Sequence, residues 1–306
     1  MIFQVSLSPH IRATTTVKRI MFLVVIALMP AICASLYFFQ IPALIVYTST
    51  IFTALITEAL IMLLRRRSAT VFDGSALLTG VLLAMNLPPS TPWWVASIGS
   101  FFAIAIVKQA FGGLGMNIFN PALAARAFLL ASYPMLMTTW HSPLTFLTTA
   151  TPLGVAKHDG IAAAVQSTTY LNSFLGLTGG SLGETSALAI LIGGLFLMLL
   201  RIIDWRIPFC FLTTVAIIAG IFGQDMLFHL LNGGLLLGAF FMATDYVTSP
   251  ITPAGKMVFG IGCGIITMVI RLWGGYPEGV CYSILLMNAL TPFLDKIRWQ
   301  RDVFIE

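Results

Sequence analysis

The residues best suited to chemistry surround a glycine-rich break in the apolar stretch FGGLGMNIFNPALAARAFL, residues 111–129. Asn117 and Asn120 carry carboxamides that can hydrogen-bond a planar heterocycle, and Gly112 and Gly113 let such a ring approach the backbone. For Asn120 the competing interpretation is helix capping, because an Asn-Pro pair is typical of a helix start. The stretch therefore predicts either a binding site or a capped helix that follows a break.

A second candidate is the threonine-rich segment TTATPLG, residues 148–154. A threonine hydroxyl in this segment could be a covalent attachment point for a cofactor. Threonine-rich loops are also commonplace on protein surfaces, so a solvated loop is the competing interpretation. The segment by itself leaves both interpretations open.

Ionisable residues in or beside apolar segments form the third candidate set. A charged group inside a membrane segment costs about 2.5–3.5 kcal/mol on insertion scales, so it tends to be functional or paired. Glu58 lies well inside the apolar segment 42–64, and Arg126 also lies within a segment, where it either pairs with an acid or contacts a cofactor carbonyl. Asp73 and Asp245 lie near segment ends, where solvation is the alternative, and Glu278 and Asp295 complete this set of acids at or in apolar segments.

The composition excludes a soluble globular protein. Of the 306 residues, 58% are hydrophobic and 9% charged, and the mean hydropathy is +0.96. The net charge of +5 does not indicate nucleic-acid binding, because the basic residues cluster at segment ends. The four cysteines lack CxxC spacing, and no Walker loop, GxSxG or HExxH motif occurs. We therefore expect a polytopic protein surrounded by lipid, with no metal site and no nucleic-acid partner.

Ten apolar segments divide the chain, and each predicts a transmembrane helix. Of the 16 basic residues, all except Arg126, Lys157 and Arg271 fall on the side of the N terminus. This asymmetry predicts that both termini are cytoplasmic and that the long loop 135–185 is extracytoplasmic. The segments are 20–39, 42–64, 74–87, 93–110, 120–134, 186–201, 207–222, 226–243, 257–272 and 279–297.

An internal repeat relates the two ends of the chain. GSALLTGVLLAMNLPPSTP resembles GGLLLGAFFMATDYVTSPITP, and AFGGLGMNIF resembles LWGGYPEGVCY. Each copy carries five predicted helices, an odd number, so the copies must lie in opposite orientations. The prediction is an all-α integral membrane fold of two inverted five-helix repeats with broken half-helices, residues 1–134 and 186–306, joined by the loop 135–185. In transporters of this plan, binding sites lie between the repeats.

At FGGLGMNIFNPALAARAF the sequence resembles one family, which comprises the membrane protein RnfD of the Rnf complex and its homologue NqrB of the sodium-pumping NADH:quinone oxidoreductase. Three further stretches agree: GVLLAMNLPPSTPWW, LGAFFMATD…TSP and GGYPEGVCYSILLMNALTPFLD. The resemblance covers nearly the whole chain. The length is similar to that of RnfD, because the quinone-reductase homologue carries a longer N-terminal region.

The resemblance implies flavin cofactors. In this family a flavin transferase joins FMN by a phosphoester to a threonine in the pattern D-x-x-(S/T)-(G/x)-A-T, which makes Thr151 the acceptor here. Two positions depart from the pattern, with Thr145 in place of the usual Asp and Thr149 where Gly is frequent. Non-covalent riboflavin is expected near Asn117 and Asn120. Acids that the family links to sodium uptake match Glu58, Asp245 and Asp295.

The resemblance also implies a function and partners. The expected protein is a membrane component of a redox-driven pump that couples ferredoxin:NAD+ electron transfer to Na+ or H+ translocation in a bacterial or archaeal cytoplasmic membrane. Its partners would be RnfA, RnfB, RnfC, RnfE and RnfG, with an outer flavin pair on Thr151 and on RnfG. The alternatives are a redox-silent inverted-repeat channel or carrier, a structural scaffold, and an NqrB-like part of the quinone reductase.

Overall fold

The computed structural model describes residues 16–66 and 71–297, and its architecture is helical. Within those ranges no strand occurs, and the one extended pairing is an isolated bridge between His141 and Thr148. The all-α prediction is therefore confirmed for this part of the chain. Some basic residues that entered the topology prediction lie outside the described residues: Arg12, Arg67, Arg298 and Arg301.

The first helix, α1 (Val17–Leu64), runs for 48 residues and contains one non-helical residue, Gln40, at φ 48° and ψ −126°. Pro42 follows the kink and lacks the N–H that would bond to the carbonyl four residues earlier. That carbonyl, on Phe38, accepts instead from the backbone N of Leu144 at 3.0 Å. The kink divides α1 at the boundary predicted between segments 20–39 and 42–64.

Three apolar helices follow, and they are α2 (Ser75–Met85), α3 (Trp93–Phe101) and α4 (Pro121–Ser132). A π-helix, Phe102–Gln109, continues α3. Such segments are rare in proteins, and those that occur often lie at functional sites. The start of α4 is the predicted one, because Oδ1 of Asn120 accepts from the backbone N of Ala122 at 3.1 Å and of Leu123 at 3.3 Å. The capping interpretation of Asn120 is therefore confirmed.

The segment between α4 and the next apolar helix carries four short helices. They are α5 (Pro134–Thr138), α6 (Pro152–Asp159), α7 (Ile161–Ser167) and α8 (Tyr170–Leu175). Helix α6 begins directly after Thr151, which acts as its N-cap. The predicted loop 135–185 is thus a folded connection that holds the threonine segment in place.

The remaining helices are α9 (Ala187–Leu199), α10 (Arg206–Ile221), α11 (Met226–Leu231), α12 (Leu235–Leu237), α13 (Pro253–Trp273) and α14 (Val280–Leu294), and a second π-helix, Gly238–Met242, continues α12.

The prediction of one helix over 226–243 is wrong. Gly233 and Gly234 have φ of 78° and 63°, which interrupts the helix between α11 and α12. Nη2 of Arg271 donates to the carbonyl oxygens of Asn232 at 2.9 Å and Gly233 at 3.4 Å. The break is therefore stable because a buried guanidinium satisfies the freed carbonyls.

Small residues set the close helix contacts, and apolar side chains cover the outside. Helix α2 packs on α1 at Gly80, where an added Cβ would lie 2.9 Å from Cα of Ile51. On the perimeter, large apolar side chains such as Leu63, Leu199 and Ile221 are more than 70% exposed. By length and composition, α1 and α13 are long enough to cross a membrane, and six other apolar helices have 10–17 residues. Such a perimeter suits a lipid environment.

Candidate functional site

Thr151 is among the residues that line the larger of two cavities relevant to function; this cavity has a volume of about 280 Å³, and we call it the threonine cavity. Its walls come from α4, from the connection before α6, and from the residues that lead into α14. Aromatic and polar side chains line it, including Arg126, Trp140, Thr149, His158, Tyr276, Glu278 and Tyr282. Ligand pockets of roughly 300–1,000 Å³ are typical, so this cavity lies near the lower end of that range.

Thr151 lies at the edge of the threonine cavity with its hydroxyl held in place. As the N-cap of α6, its Oγ1 accepts from the backbone N of Gly154 at 3.1 Å, and the residue is 5% exposed. The backbone N–H groups at the start of a helix create a partial positive charge that favours anions such as phosphate. The predicted acceptor threonine therefore combines a nucleophilic hydroxyl with a phosphate-favouring position.

Arg126 crosses from α4 to the wall of the same cavity. Its Nη2 forms an ion pair with Oε2 of Glu278, and its Nη1 donates to Oδ1 of Asn86 at 3.0 Å. The structure thus pairs Arg126 with an acid and brings it to Thr151, away from Asn117 and Asn120. Sequence reasoning left this choice open, because a helix position alone does not give the partner.

Glu184 lies next to this ion pair, and sequence reasoning missed it because it precedes an apolar segment in the predicted loop. Burial raises the pKa of Glu184 from 4.5 to about 7, with a further rise from the charge of Glu278 and an opposing effect of Arg126. Its Oε2 accepts from the backbone N of Ser181 at 3.3 Å, and its Oε1 is buried without a partner among the described residues. Glu184, Glu278 and Thr151 line one small polar cavity.

Two basic residues that the topology prediction placed on the extracytoplasmic side hold backbone in place near this cavity. Arg271 donates through Nη1 to the carbonyl oxygen of His229 at 2.7 Å and through Nε to that of Glu278 at 3.0 Å. Nζ of Lys157 donates to the carbonyl oxygen of Tyr276 at 2.9 Å. Both cations therefore fix the irregular backbone around the threonine cavity.

The second cavity, of about 70 Å³, lies beside Asn117 and Asn120, and we call it the asparagine cavity. Nδ2 of Asn117 donates to the carbonyl oxygen of Phe119 at 3.1 Å, and Nδ2 of Asn120 donates to that of Met242 at 3.3 Å. Both carboxamides line the cavity, together with Ser75, Lys108, Thr244 and Asp245.

Gly112 and Gly113 shape the turn that follows the first π-helix. Their φ angles are 127° and 103°, and the backbone N of Gly113 donates to the carbonyl oxygen of Lys108 at 3.1 Å. In the described part of the chain, neither glycine is among the residues that line the asparagine cavity. The two asparagines are therefore brought together at a cavity, whereas the glycines are not.

Glu58 is fully buried and forms an ion pair with Lys108, with 2.8 Å between Oε1 and Nζ. Nζ of Lys108 also donates to Oγ of Ser75 at 2.6 Å, and Nε2 of Gln109 donates to Oε1 of Glu58 at 3.1 Å. Lys108 enters the sequence predictions only as a basic residue for the topology; in the structure its side chain is buried and 2% exposed. In the π-helix two consecutive residues, Lys108 and Gln109, both contact Glu58. A helical pattern of period 3.6 does not predict this arrangement.

Asp245 and Asp295 both bind the connection that leads into α13. The carboxylate of Asp245 accepts from Oγ1 of Thr248 at 3.2 Å, and that of Asp295 accepts from the backbone N of Ile251 at 2.7 Å. Asp245 lines the asparagine cavity, as Lys108 does, whereas Asp295 is not among its lining residues in the described part of the chain. The three predicted ion-pathway acids therefore do not form one cluster.

Comparison with known proteins finds one family that matches nearly the whole chain. A model of the NQR2, RnfD, RnfE family matches residues 4–303. The chain is 54% identical over 301 residues to the D subunit of the Na+-translocating ferredoxin:NAD+ oxidoreductase complex of Acetobacterium woodii, covering 97% of this chain and 94% of the relative. It is 48% identical over 311 residues to the D subunit of the proton-translocating ferredoxin:NAD+ oxidoreductase complex of Clostridium ljungdahlii, covering 96% of this chain and 94% of the relative. It is 36% identical over 339 residues to the D subunit of the ion-translocating oxidoreductase complex of Escherichia coli (96% of each).

Proposed function

Because the chain belongs to the NQR2, RnfD, RnfE family, we propose that it is the RnfD component of an ion-translocating ferredoxin:NAD+ oxidoreductase, the Rnf complex. The observation that carries this function is similarity over more than nine tenths of both chains to two relatives named for that complex. The protein acts only within the complex, beside RnfA, RnfB, RnfC, RnfE and RnfG. Ferredoxin and NAD bind to other components, and the complex lies in a bacterial or archaeal cytoplasmic membrane.

Ten membrane segments in two inverted repeats are part of this proposal. The second part of α1 contacts α3, with Oγ of Ser100 donating to the carbonyl oxygen of Thr50 at 2.6 Å, and α10 correspondingly packs on α13. The two cavities also correspond, because each lies where a glycine-rich break leads into a short helix, α4 or α14. These paired features support the inverted repeat that the sequence predicts.

Thr151 is the proposed attachment residue for FMN. In the reaction of a flavin transferase, Oγ1 would lose its proton and displace the nucleoside monophosphate of a flavin dinucleotide, which leaves FMN as a phosphoester; the N–H groups at the start of α6 favour the phosphate charge. Trp140, Tyr276 and Tyr282 offer aromatic faces to a flat ring, and Arg126 supplies a fixed positive charge. When bound, FMN supplies the electron transfer, and these residues hold and orient it.

Riboflavin at the asparagine cavity remains a prediction. Asn117 and Asn120 supply suitable hydrogen-bonding groups, but a volume of about 70 Å³ is far below the roughly 300 Å³ at which typical ligand pockets begin. A flavin ring therefore does not fit this cavity as it stands. We derive no electron-transfer step from it.

The coupling ion is Na+ or H+, and the family does not choose between them. The relative from Acetobacterium woodii is named for Na+ translocation and that from Clostridium ljungdahlii for proton translocation. Glu58, Asp245 and Asp295 are the proposed ion-pathway residues. Among them, Glu58 is fully buried, so an ion could reach it only from within the protein.

In-gel flavin fluorescence of the denatured protein, co-expressed with a flavin transferase, tests the attachment residue. We expect a fluorescent wild-type band and a dark Thr151→Ala band, because the hydroxyl that forms the ester is lost. Thr252→Ala is the matched control: Oγ1 of Thr252 accepts from the backbone N of Gly255 at 3.1 Å, so this variant also loses an N-cap before a proline. A dark wild-type band, or a fluorescent Thr151→Ala band, would contradict the proposal.

The gel separates the flavin-carrying role from a channel or carrier, and other observations separate the remaining alternatives. A redox-silent channel or carrier predicts no flavin, a continuous polar pore and transport without partners. A scaffold predicts that Glu58 and Asn117 tolerate substitution. An NqrB-like role in a quinone reductase predicts a fluorescent band with quinone as the electron acceptor, and the ferredoxin:NAD+ names of the two relatives favour the Rnf complex instead.

A further inference from the structure

Lys108 lies between a buried carboxylate and a cavity, and this position suggests a role beyond a structural ion pair. Its Nζ contacts Oε1 of Glu58 at 2.8 Å and Oγ of Ser75 at 2.6 Å, and its side chain is 2% exposed. Ser75 in turn donates from Oγ to Oδ1 of Asp73 at 2.5 Å. The ammonium thus occupies a position defined by oxygen atoms.

The oxygen atoms around the ammonium belong to a carboxylate and a hydroxyl, and oxygen ligands suit hard cations. Gln109 contacts the same carboxylate: its Nε2 donates to Oε1 of Glu58 at 3.1 Å, while its own Oε1 is buried without a partner among the described residues. Burying Glu58 without a counter-charge would be costly, so some cation must accompany it. In the observed arrangement that cation is the side chain of Lys108.

The asparagine cavity offers the side chain of Lys108 a second position. Lys108 and Ser75 both line it, and so does Asp245, whose carboxylate could receive the ammonium. A volume of about 70 Å³ exceeds the ≈10–15 Å³ that one water requires, so the cavity can hold a hydrated group or a moving ammonium. The lysine stem is flexible, with four carbons between backbone and charge.

We propose that Glu58, Ser75 and Gln109 form a site for a monovalent cation, Na+ or H+, and that the ammonium of Lys108 closes this site as a tethered competitor. When Lys108 turns into the asparagine cavity, the transported ion replaces it at Glu58. Total charge beside Glu58 is conserved in this exchange, so no unpaired carboxylate is buried at any point. Both the site and its coupling to electron transfer rest on the proposed function, in which Glu58 is an ion-pathway residue.

Passive ion permeability of the resting complex tests this proposal. The purified complex is reconstituted in liposomes without an electron donor, and entry of ²²Na+ and of protons, followed by a pH dye inside the liposomes, is measured separately. Lys108→Met removes the tethered cation, so we expect a several-fold faster entry of one ion, and the assay that responds identifies that ion. Lys108→Arg retains a side-chain cation, so liposomes with this variant should remain tight, that is, as impermeable to both ions as those with the wild type.

The variant Glu58→Gln/Lys108→Met removes the site together with its competitor and should be as tight as wild type. Equal leaks in this double variant and in Lys108→Met would indicate general damage and overturn the proposal, as would a tight Lys108→Met. If Lys108→Met fails to assemble, Lys108→Gln replaces it, since it also removes the positive charge but keeps a polar side chain. A tight Lys108→Gln would then overturn the proposal, as would equal leaks in Lys108→Gln and in Glu58→Gln/Lys108→Gln.

This measurement is independent of the flavin. A dark wild-type band in the gel would refute FMN attachment. A leak in Lys108→Met would still support the cation site in that case. Conversely, a fluorescent band with a tight Lys108→Met would support the flavin-carrying role and refute the tethered cation.

Discussion

At the residue scale, two buried ion pairs lie apart from each other, each beside one cavity. Arg126 pairs with Glu278 at the threonine cavity, and Lys108 pairs with Glu58 at the asparagine cavity. Buried ion pairs contribute little net stability, because desolvation offsets much of the attraction. Their presence in an apolar protein is therefore better explained by function than by folding.

Glu184 gives a pH-dependent stability of defined sign. Its pKa is raised by burial to about 7, so the folded state binds its proton more tightly than the unfolded state does. The free energy of unfolding should therefore fall as pH rises from about 4.5 to about 7. Above that range Glu184 contributes no further pH dependence. Glu184→Gln should flatten this part of the curve of melting temperature against pH.

The control for Glu184 is Asp159→Asn, at an exposed position on α6. It should leave the curve of melting temperature against pH as it is in the wild type. If Glu184→Gln and wild type lost stability in parallel over the same pH range, the raised pKa would be refuted.

At the scale of elements, helices meet through glycine where the backbones approach most closely. At Gly80 an added Cβ would lie 2.9 Å from Cα of Ile51, so Gly80→Ala must push α2 away from α1. Overpacking of this kind typically costs about 1–3 kcal/mol. We expect a lower melting temperature in detergent for Gly80→Ala.

Gly275→Ala is the matched glycine control, because an added Cβ there meets no atom within 4 Å in the described structure. Its melting temperature should remain close to that of the wild type. Equal melting temperatures for Gly80→Ala and the wild type would mean that the close contact between α1 and α2 is not maintained in the protein.

At the scale of the whole molecule, the charge distribution predicts which parts face each side of the membrane. In a background without the native cysteines, Asp159→Cys lies in the predicted extracytoplasmic connection and Lys296→Cys beyond α14 on the predicted cytoplasmic side; both positions are exposed. A membrane-impermeant maleimide added to intact cells should label the first variant and should label the second only after permeabilisation. The reverse pattern would invert the topology.

Local sequence determined most of the apolar helices, the start of α4 and the boundary within α1. Apolar runs and the Asn-Pro start predicted α4, and Pro42 explains the boundary within α1, because both signals act through the backbone within a few residues. The glycine-rich break and the threonine segment also identified the neighbourhoods of both cavities. Residue type and spacing suffice for such features, since the interactions involved are short in sequence.

Tertiary structure alone decided the partners of the buried charges. The ion pair of Glu58 with Lys108 spans 50 positions and that of Arg126 with Glu278 spans 152, so no local pattern predicts them. The same holds for Arg271, which stabilises the break between α11 and α12 through carbonyls about 40 positions away. A buried charge needs a counter-charge or hydrogen bonds wherever the fold brings them, and packing, rather than sequence distance, selects the partner.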